Sequence, residues 1–465
     1  IPFINSISIS NFENNYKNDE ISIGSDIKVP IGNGLMLDLT YNPDFSQAEV
    51  DDEIVNLRRF EIKLPEKRQF FLQNSDIFSN YGAVRTITPF FTRRIGLAKD
   101  PNGNLIENDI IGGIRLSGKI SNGLKIGLLS MLTNDDISNE VPSNLNTVLS
   151  LNQKVFNRSA IKFLFINRET IKDYDFVDKN DKFNRLLGLE YDLNSVDNVW
   201  NGRFFTYNSF SPLKKENGFS GGVRVKRETR EQEISFEYSY LGDDFRSDLG
   251  ILRRVGISKF CPFYAYKIYP SDKKINFFRF AYYHWLWFKL KSSSQNIHEN
   301  NSLIMISANY KNQSSIEFRF FNSYEFLPNN FDPTGINPDS PLSGGNTYHS
   351  RFIQFGYNSD PSKRFYFSTS HNYGKFYDGR KYTFDNNLFL RFEPNLIASL
   401  KLNYDIISLD HLEKRSHLWL VGPKFDFSFS KKLFWATLVQ FNSQSENLGI
   451  NSRLQWRFTG LSNLF

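Results

Sequence analysis

The sequence predicts an all-β fold, a transmembrane antiparallel outer-membrane β-barrel of about 18 to 22 strands with an internal plug-like insert. Three observations lead there. Apolar and polar residues alternate with period two through most of the chain, as in Ile114, Leu116, Gly118 and Ile120 against Arg115, Ser117 and Lys119. The 465 residues carry 46 Phe and 22 Tyr, yet mean hydropathy is −0.43 and no run reaches the roughly 18 apolar residues of a membrane helix. Lipid-facing and lumen-facing side chains that cancel in every window average produce that combination. Third, one block, Asn42 to Gly96, abandons the alternation and mixes carboxylates, cations and phenylalanines with no single period.

The chain opens on an Asn-rich stretch with a short alternation at Ile4, Ser6, Ile7 and Ile9, read as a short strand. Ile21 to Pro30 and Leu35 to Tyr41 flank Gly32-Asn33-Gly34, whose residues tolerate positive φ, so a hairpin is expected. After the block, alternation resumes and recurs. Examples are Ile234, Phe236, Tyr238 and Tyr240 against Glu237, Phe318 and Phe320 against Glu317 and Arg319, and Phe425 and Phe427 against Asp426. The runs are about 9 to 12 residues long, the length of a tilted strand crossing a hydrocarbon layer, where a soluble sandwich needs about 5 or 6. About 20 such runs follow Arg85, with two more between 21 and 41, and an even total is expected of a bacterial barrel, most simply 20 or 22.

Short links such as Ser121-Asn122-Gly123, Lys311-Asn312-Gln313 and that around Ser430-Lys431 suit the periplasmic end; Thr133 to Asn144, Thr170 to Lys182 and Pro328 to Gly345 suit the outside. Aromatic clusters at Phe263-Tyr264, Tyr282-Tyr283 with Trp285 and Trp287, and Phe365-Tyr366 read as interfacial girdles. One domain, 1–465, is expected, with residues 42–96 as a plug or a periplasmic cap. No charged and apolar leader opens the sequence, so an export signal is expected to have been removed or to lie outside it.

Net charge is +6, but 56 Lys and Arg are interspersed with 50 Asp and Glu, which argues against nucleic acid as partner. The single cysteine, Cys261, excludes an intrachain disulfide framework. The six histidines form no ligand pair at useful spacing, so no metal and no cofactor are expected. Ser370 and His371 are adjacent on a strand and point to opposite faces, and no catalytic residue is assigned. Asp243, Asp244 and Asp248 read as turn caps rather than a calcium loop.

NPDFSQAEVDD (42–52), LPEKRQFFLQNSDIF (64–78), FFTRRIG (90–96), FNRSAIKFLFINRET (156–170), LGDDFRSDLGILRR (241–254) and WRFTGLSNLF (456–465) together carry a resemblance. The chain resembles the outer-membrane barrel family of Bacteroidota that is catalogued as a domain of unknown function and usually follows a family-9-like carbohydrate-binding domain. Gln69 and Gln73 stand where that pattern has Pro and Glu or Gly. The resemblance covers the barrel part only, so it implies no glycan-binding residues here. It also implies that the sequence stops short of a final strand.

Arginines in a poorly hydrated lumen must meet carboxylates or carbonyls. A charge network is therefore expected within the insert, through Asp44, Glu49, Asp51, Asp52, Arg58, Arg59, Glu66, Arg68, Arg93 and Arg94. Its wall partners are expected to be the lumen-facing Arg115, Lys119, Arg224, Lys226, Glu317 and Arg319. The expected location is the outer membrane of a Gram-negative cell. The expected partners are outer-membrane lipid including lipopolysaccharide, and other outer-membrane proteins or lipoproteins. A plugged barrel serving as scaffold or subunit of an assembly is the first functional reading. A gated transporter or porin is the second, and a barrel-embedded hydrolase the third.

Overall fold

Alternation becomes pairing wherever two apolar rows can sit side by side. Ile110–Lys119 and Leu124–Thr133 are joined through Ser121 to Gly123 and pair antiparallel, with Leu116 opposite Leu128. The same unit repeats until one antiparallel sheet of 23 strands has formed. Each strand pairs with its neighbour in chain order, from Pro2–Asn11 to Asn463–Leu464, and the insert is stepped over where Leu35–Tyr41 pairs with Ile110–Lys119. Only Asn463–Leu464 is as short as two residues; the others, 22 strands, agree with the count read from the sequence. The computed structural model describes residues 2–11, 16–43, 51–83, 85–213, 218–290, 297–457 and 463–464, with side chains from Ile23 to Arg457.

The two faces differ as the period requires. Ile114 is 48% exposed and Arg115 1%; Leu189 is 51% exposed and Glu190 1%. The exposed row holds Phe236, Tyr238, Phe318, Phe320, Phe425, Leu454 and Trp456, an apolar surface far beyond what a water-soluble protein shows, and hydrocarbon is the solvent that matches it. No helix among the described residues is long and apolar enough to cross a membrane.

The sheet curls around the insert. Gln73 accepts a hydrogen bond from Lys28 of strand Tyr16–Ile31 (3.2 Å), while Glu53 accepts one from Asn447 of strand Asn447–Arg457 (3.0 Å). Twenty residues of chain span at most about 70 Å. Those two strands, laid flat in their sheet, would be about 95 Å apart. The barrel therefore wraps the segment, whose contacts all fall on the buried face of the wall.

The longest links share one end of the barrel. Gly32 to Gly34, Ile120 to Gly123, Lys311 to Ser314 and Phe429 to Lys432 lie at one end; residues 134–143, 171–182, 328–345 and the whole insert leave from the other. The insert thus shares an end with the long loops, although it had been expected that a cap, if that is what it was, would be periplasmic. It is also longer than the charged block suggested. The main sheet resumes only at Ile110, because Leu97–Lys99 and Leu105–Glu107 form a hairpin of their own.

One aromatic assignment is corrected. Tyr264, Tyr282 and Phe365 face outward and are exposed, but Phe263, Tyr283, Trp285 and Trp287 take the alternate positions and face the lumen. Neighbours on a strand cannot share a face, so only half of each cluster can join a girdle.

Candidate functional site

The insert is seated by a hydrophobic core and then fixed by charges. Two single helical turns, Gln69–Leu72 and Asp76–Ser79, bury Phe71, Ile77 and Phe78. These pack with Tyr81, Ile87, Phe90 and Ile95 against the wall residues Leu129, Met131, Val148, Leu164 and Tyr207, forming one continuous core. Gly127 makes the approach possible: a Cβ there would lie 2.6 Å from the Phe78 ring and 2.8 Å from Ile77. Asn74 donates to Ser117 (3.1 Å) and Lys125 pairs with Asp76 (3.0 Å), both beside the short-turn end, so the segment runs nearly the full height of the barrel.

Around this core the polar contacts encircle the lumen. Tyr81 shares a hydrogen bond with Ser150 (2.7 Å), the Gly82 amide donates to Glu190 (2.6 Å), and Lys162 donates to the Asn80 carbonyl (2.8 Å). Lys259 donates to Thr86 (3.0 Å) and to Glu237 (2.8 Å). On the far side Gln440 accepts from the Glu53 amide (2.8 Å), and Gln444 accepts from the Asn56 amide (2.9 Å). Asn442 donates to the Glu53 carboxylate (2.9 Å).

Within the insert, the expected charge network is present in part. Arg93 donates to Asp51 (2.8 Å), Arg68 pairs with Glu66 (2.7 Å), and Arg94 pairs with Glu61. Arg68 also donates to the carbonyls of Ile95 (2.7 Å) and Thr92 (2.9 Å), which ties it to the turn at Thr92–Arg94. Burial would raise the Glu66 carboxyl, but Arg68 beside it wins and holds it below the usual carboxylate range. The hydrogen bond to Asp51 raises the Arg93 guanidinium. Asp52 and Arg58 are exposed, and Asp44 and Glu49 lie outside the described residues.

The wall partners differ from those expected. Arg115 is fully buried and donates to the Phe70 carbonyl, as a lumen residue should. Lys226, however, pairs along the wall with Glu228 (2.6 Å) and Glu233 (2.9 Å), and Arg319 with Glu317 (2.5 Å). Lys119 and Arg224 are exposed. The residues that do grip the insert, Lys162, Glu190, Lys259, Glu299 and Asn442, were missed. Their signal was available, since each is a polar residue on the row opposite an apolar one.

Between insert and wall lies a cavity of about 390 Å³ beneath the long-loop end. Its lining includes eight cations, Arg58, Arg59, Arg85, Arg253, Arg254, Lys259, Arg319 and Lys381, against two carboxylates, Glu299 and Glu325. Glu299 serves both Arg59 (3.0 Å) and Arg254, and Glu325 serves Arg59 (2.9 Å). Among the described residues, Arg58, Arg85, Arg253 and Lys381 have no carboxylate at ion-pair distance. Burial, with Arg58 and Arg85 adding like-charge repulsion, pushes the Arg253 guanidinium down. The Phe60 ring is faced by Arg59, Arg253 and Arg254 at 4.9, 5.7 and 4.6 Å. Trp285 and Trp287 form part of the same wall. Such a chamber can accept an anion, whose charge would pair with four cations that have no carboxylate beside them.

Elsewhere, Ser370 points into the lumen and accepts from Gln354 (2.6 Å), whereas His371 faces outward and bonds Thr369 (3.0 Å) and Tyr382 (2.8 Å). Asp248 is held by Arg168 (2.6 Å) and Arg246 (2.5 Å).

The family described as Domain of unknown function (DUF5916) matches residues 1–412. No curated protein matches the chain. Among solved structures, the chain is similar to the siderophore receptor PirA from Acinetobacter baumannii, at 9% identity and a TM-score of 0.46, over 94% of this chain and 75% of that one.

Proposed function

We propose, from the premise that the chain belongs to the DUF5916 family, that it is a plugged outer-membrane barrel whose chamber takes up an anionic solute. The membrane is the outer membrane of a Gram-negative cell, and the sequence resemblance implies one of the Bacteroidota. The observation that carries this reading is the presence on the chamber wall of four cations, Arg58, Arg85, Arg253 and Lys381, with no carboxylate at ion-pair distance among the described residues. Arg58, Arg85 and Arg253 bring like charge into one confined space, and a bound phosphate or carboxylate would pair with them through charge-assisted hydrogen bonds. The insert closes the lumen, so passage would require it to shift, and the protein would be a gated transporter.

A second reading, a scaffold or subunit of an outer-membrane assembly with protein or lipoprotein partners, is favoured by the core that fuses insert to wall. A segment sharing one buried cluster with Leu129, Val148 and Tyr207 is built to stay in place. No catalytic role is proposed for any residue.

The two readings separate on ligand binding. Trp285 and Trp287 report on the chamber, so inorganic pyrophosphate should change tryptophan fluorescence saturably in the purified protein. The paired substitution Arg85→Ala and Arg253→Ala should weaken that response at least about tenfold, the loss of one charge-assisted contact of roughly 1.5 kcal/mol. A response absent from the native protein, or unchanged by the substitutions, leaves the scaffold reading standing.

A further inference from the structure

The outer surface of the barrel carries a cationic row that nothing in the lumen explains. Arg351 of strand Asn346–Asn358 lies directly opposite Lys375 of Phe365–Phe376, and Lys375 opposite Arg380 of Gly379–Phe392. All three are exposed. They share the outward face with Ile353 and Tyr373, which are 61% and 57% exposed.

Like charges placed directly across a ladder repel, and neighbouring rows of this sheet show what would normally compensate them. Here no carboxylate does. Among the described residues none of the three makes an ion pair, and Arg351 donates only to the amide oxygen of Asn322 (2.9 Å). The carboxylates on these and the flanking strands, Glu317, Glu325, Asp385 and Asp405, occupy the alternate, lumen-facing positions, where Glu325 pairs with Arg59, Glu317 with Arg319 and Asp405 bonds Thr383. Asp378, in the turn beside Arg380, is paired with His411 (2.6 Å).

The height of the row identifies what lies beside it. One residue pair nearer the short turns, the outward row reads Tyr282, Ile304, Phe320, Ile353, Tyr373 and Tyr382, each opposite the next. At the cationic level it reads His284, Ser302, Asn322, Arg351, Lys375 and Arg380. A single step of the ladder thus separates apolar and aromatic side chains from polar ones, which is the signature of the membrane–water interface. Just above it an outward groove of about 760 Å³ is lined by Lys289, His298, Asn300, Asn322, His349 and Arg351, and no carboxylate is in its lining.

We infer that this row and groove bind the phosphate groups of an anionic lipid in the leaflet at the long-loop end, a phosphorylated glycolipid. Arginine matches a phosphate with two parallel hydrogen bonds, and lysine adds a point charge. The apolar row one step below would hold the acyl chains against Ile304, Phe320 and Ile353. The inference uses only the outer face and does not depend on what the chamber binds.

The test uses the full chain in detergent micelles with bisphosphorylated lipid A, followed by native mass spectrometry. Lipid A should remain bound to the native protein, and the triple variant Arg351→Gln, Lys375→Gln, Arg380→Gln should retain it at least about tenfold more weakly. The paired variant Lys154→Gln and Arg158→Gln, exposed cations at the short-turn end, should retain it as the native protein does. Strand protection from hydrogen exchange, equal in all three proteins, shows that each is folded. Equal loss in the two variants would overturn the proposal, because binding would then follow overall charge. So would retention of dephosphorylated lipid A, or displacement by millimolar inorganic phosphate, which would mark a site for the free anion.

Discussion

The Arg59 guanidinium donates to the Glu299 carboxylate at 3.0 Å, joining insert to wall across 240 residues of sequence. Glu299 also receives Arg254, and its side chain is 5% exposed. One buried carboxylate therefore holds two arginines from separate segments. Glu299→Gln should cost about 3 to 5 kcal/mol at the insert, the usual consequence of removing one partner of a buried pair. Hydrogen exchange should speed up in residues 51–60 while strand Ile297–Tyr310 keeps its protection.

Gly127 offers a test by volume instead of charge. A side chain at that position meets the Phe78 ring and Ile77, so Gly127→Val should cost about 1 to 3 kcal/mol by overpacking. Proteolysis between Phe70 and Ser79 should accelerate with the strands still protected. Equal protease resistance in the variant would mean that the helical turns are not seated against the wall there.

Glu66 supplies a pH dependence with a definite sign. Its carboxyl lies below the usual value because of Arg68, so its contribution is complete above the ordinary glutamate range near pH 4.3 and is lost as pH falls through its depressed value. Protease access to residues 51–68 should therefore rise at the acid end of a titration from pH 7 to 3. Glu66→Gln should show that access already at pH 7 and flatten the dependence.

The two faces of one strand make a fourth test. Phe318 stands one ladder step inside the apolar belt from Phe320, whereas Glu317 faces the lumen beside Arg319. Phe318→Arg should cost about 2 to 4 kcal/mol in a refolding titration, the penalty for a charge near the hydrocarbon midplane. Glu317→Arg should cost less, because although it loses the pair with Arg319, that guanidinium is 38% exposed and both charges stay in contact with water on the lumen side. Equal costs would remove the lipid-facing assignment.

The wall of this barrel was legible in the sequence because most strands carry a run of apolar residues on one face and the period is fixed at two. Leu396 to Tyr404 and Phe425 to Phe429 carry their own orientation. The insert was legible as an exception, by loss of period; the Arg68–Glu66 pair follows from local charge, and pairing such as Arg93–Asp51 from the mixed charge of the block as a whole. What sequence order hides is which wall residue meets which insert residue, since Glu53 and Asn447 approach only after the sheet has curled. The chamber was hidden for the same reason: its arginines come from Arg58, Arg85 and Arg253, three separate stretches. Trp285 and Trp287 were misassigned because an aromatic cluster in sequence says nothing about face until the strand register is known.

Single-channel recording in a planar bilayer tests the central claim, that a wall-fixed insert closes the lumen, most directly. The native protein should show no steady porin-sized current, and the combined substitution Glu299→Gln with Gly127→Val should produce frequent openings. A stable, porin-sized conductance from the native protein would contradict the account.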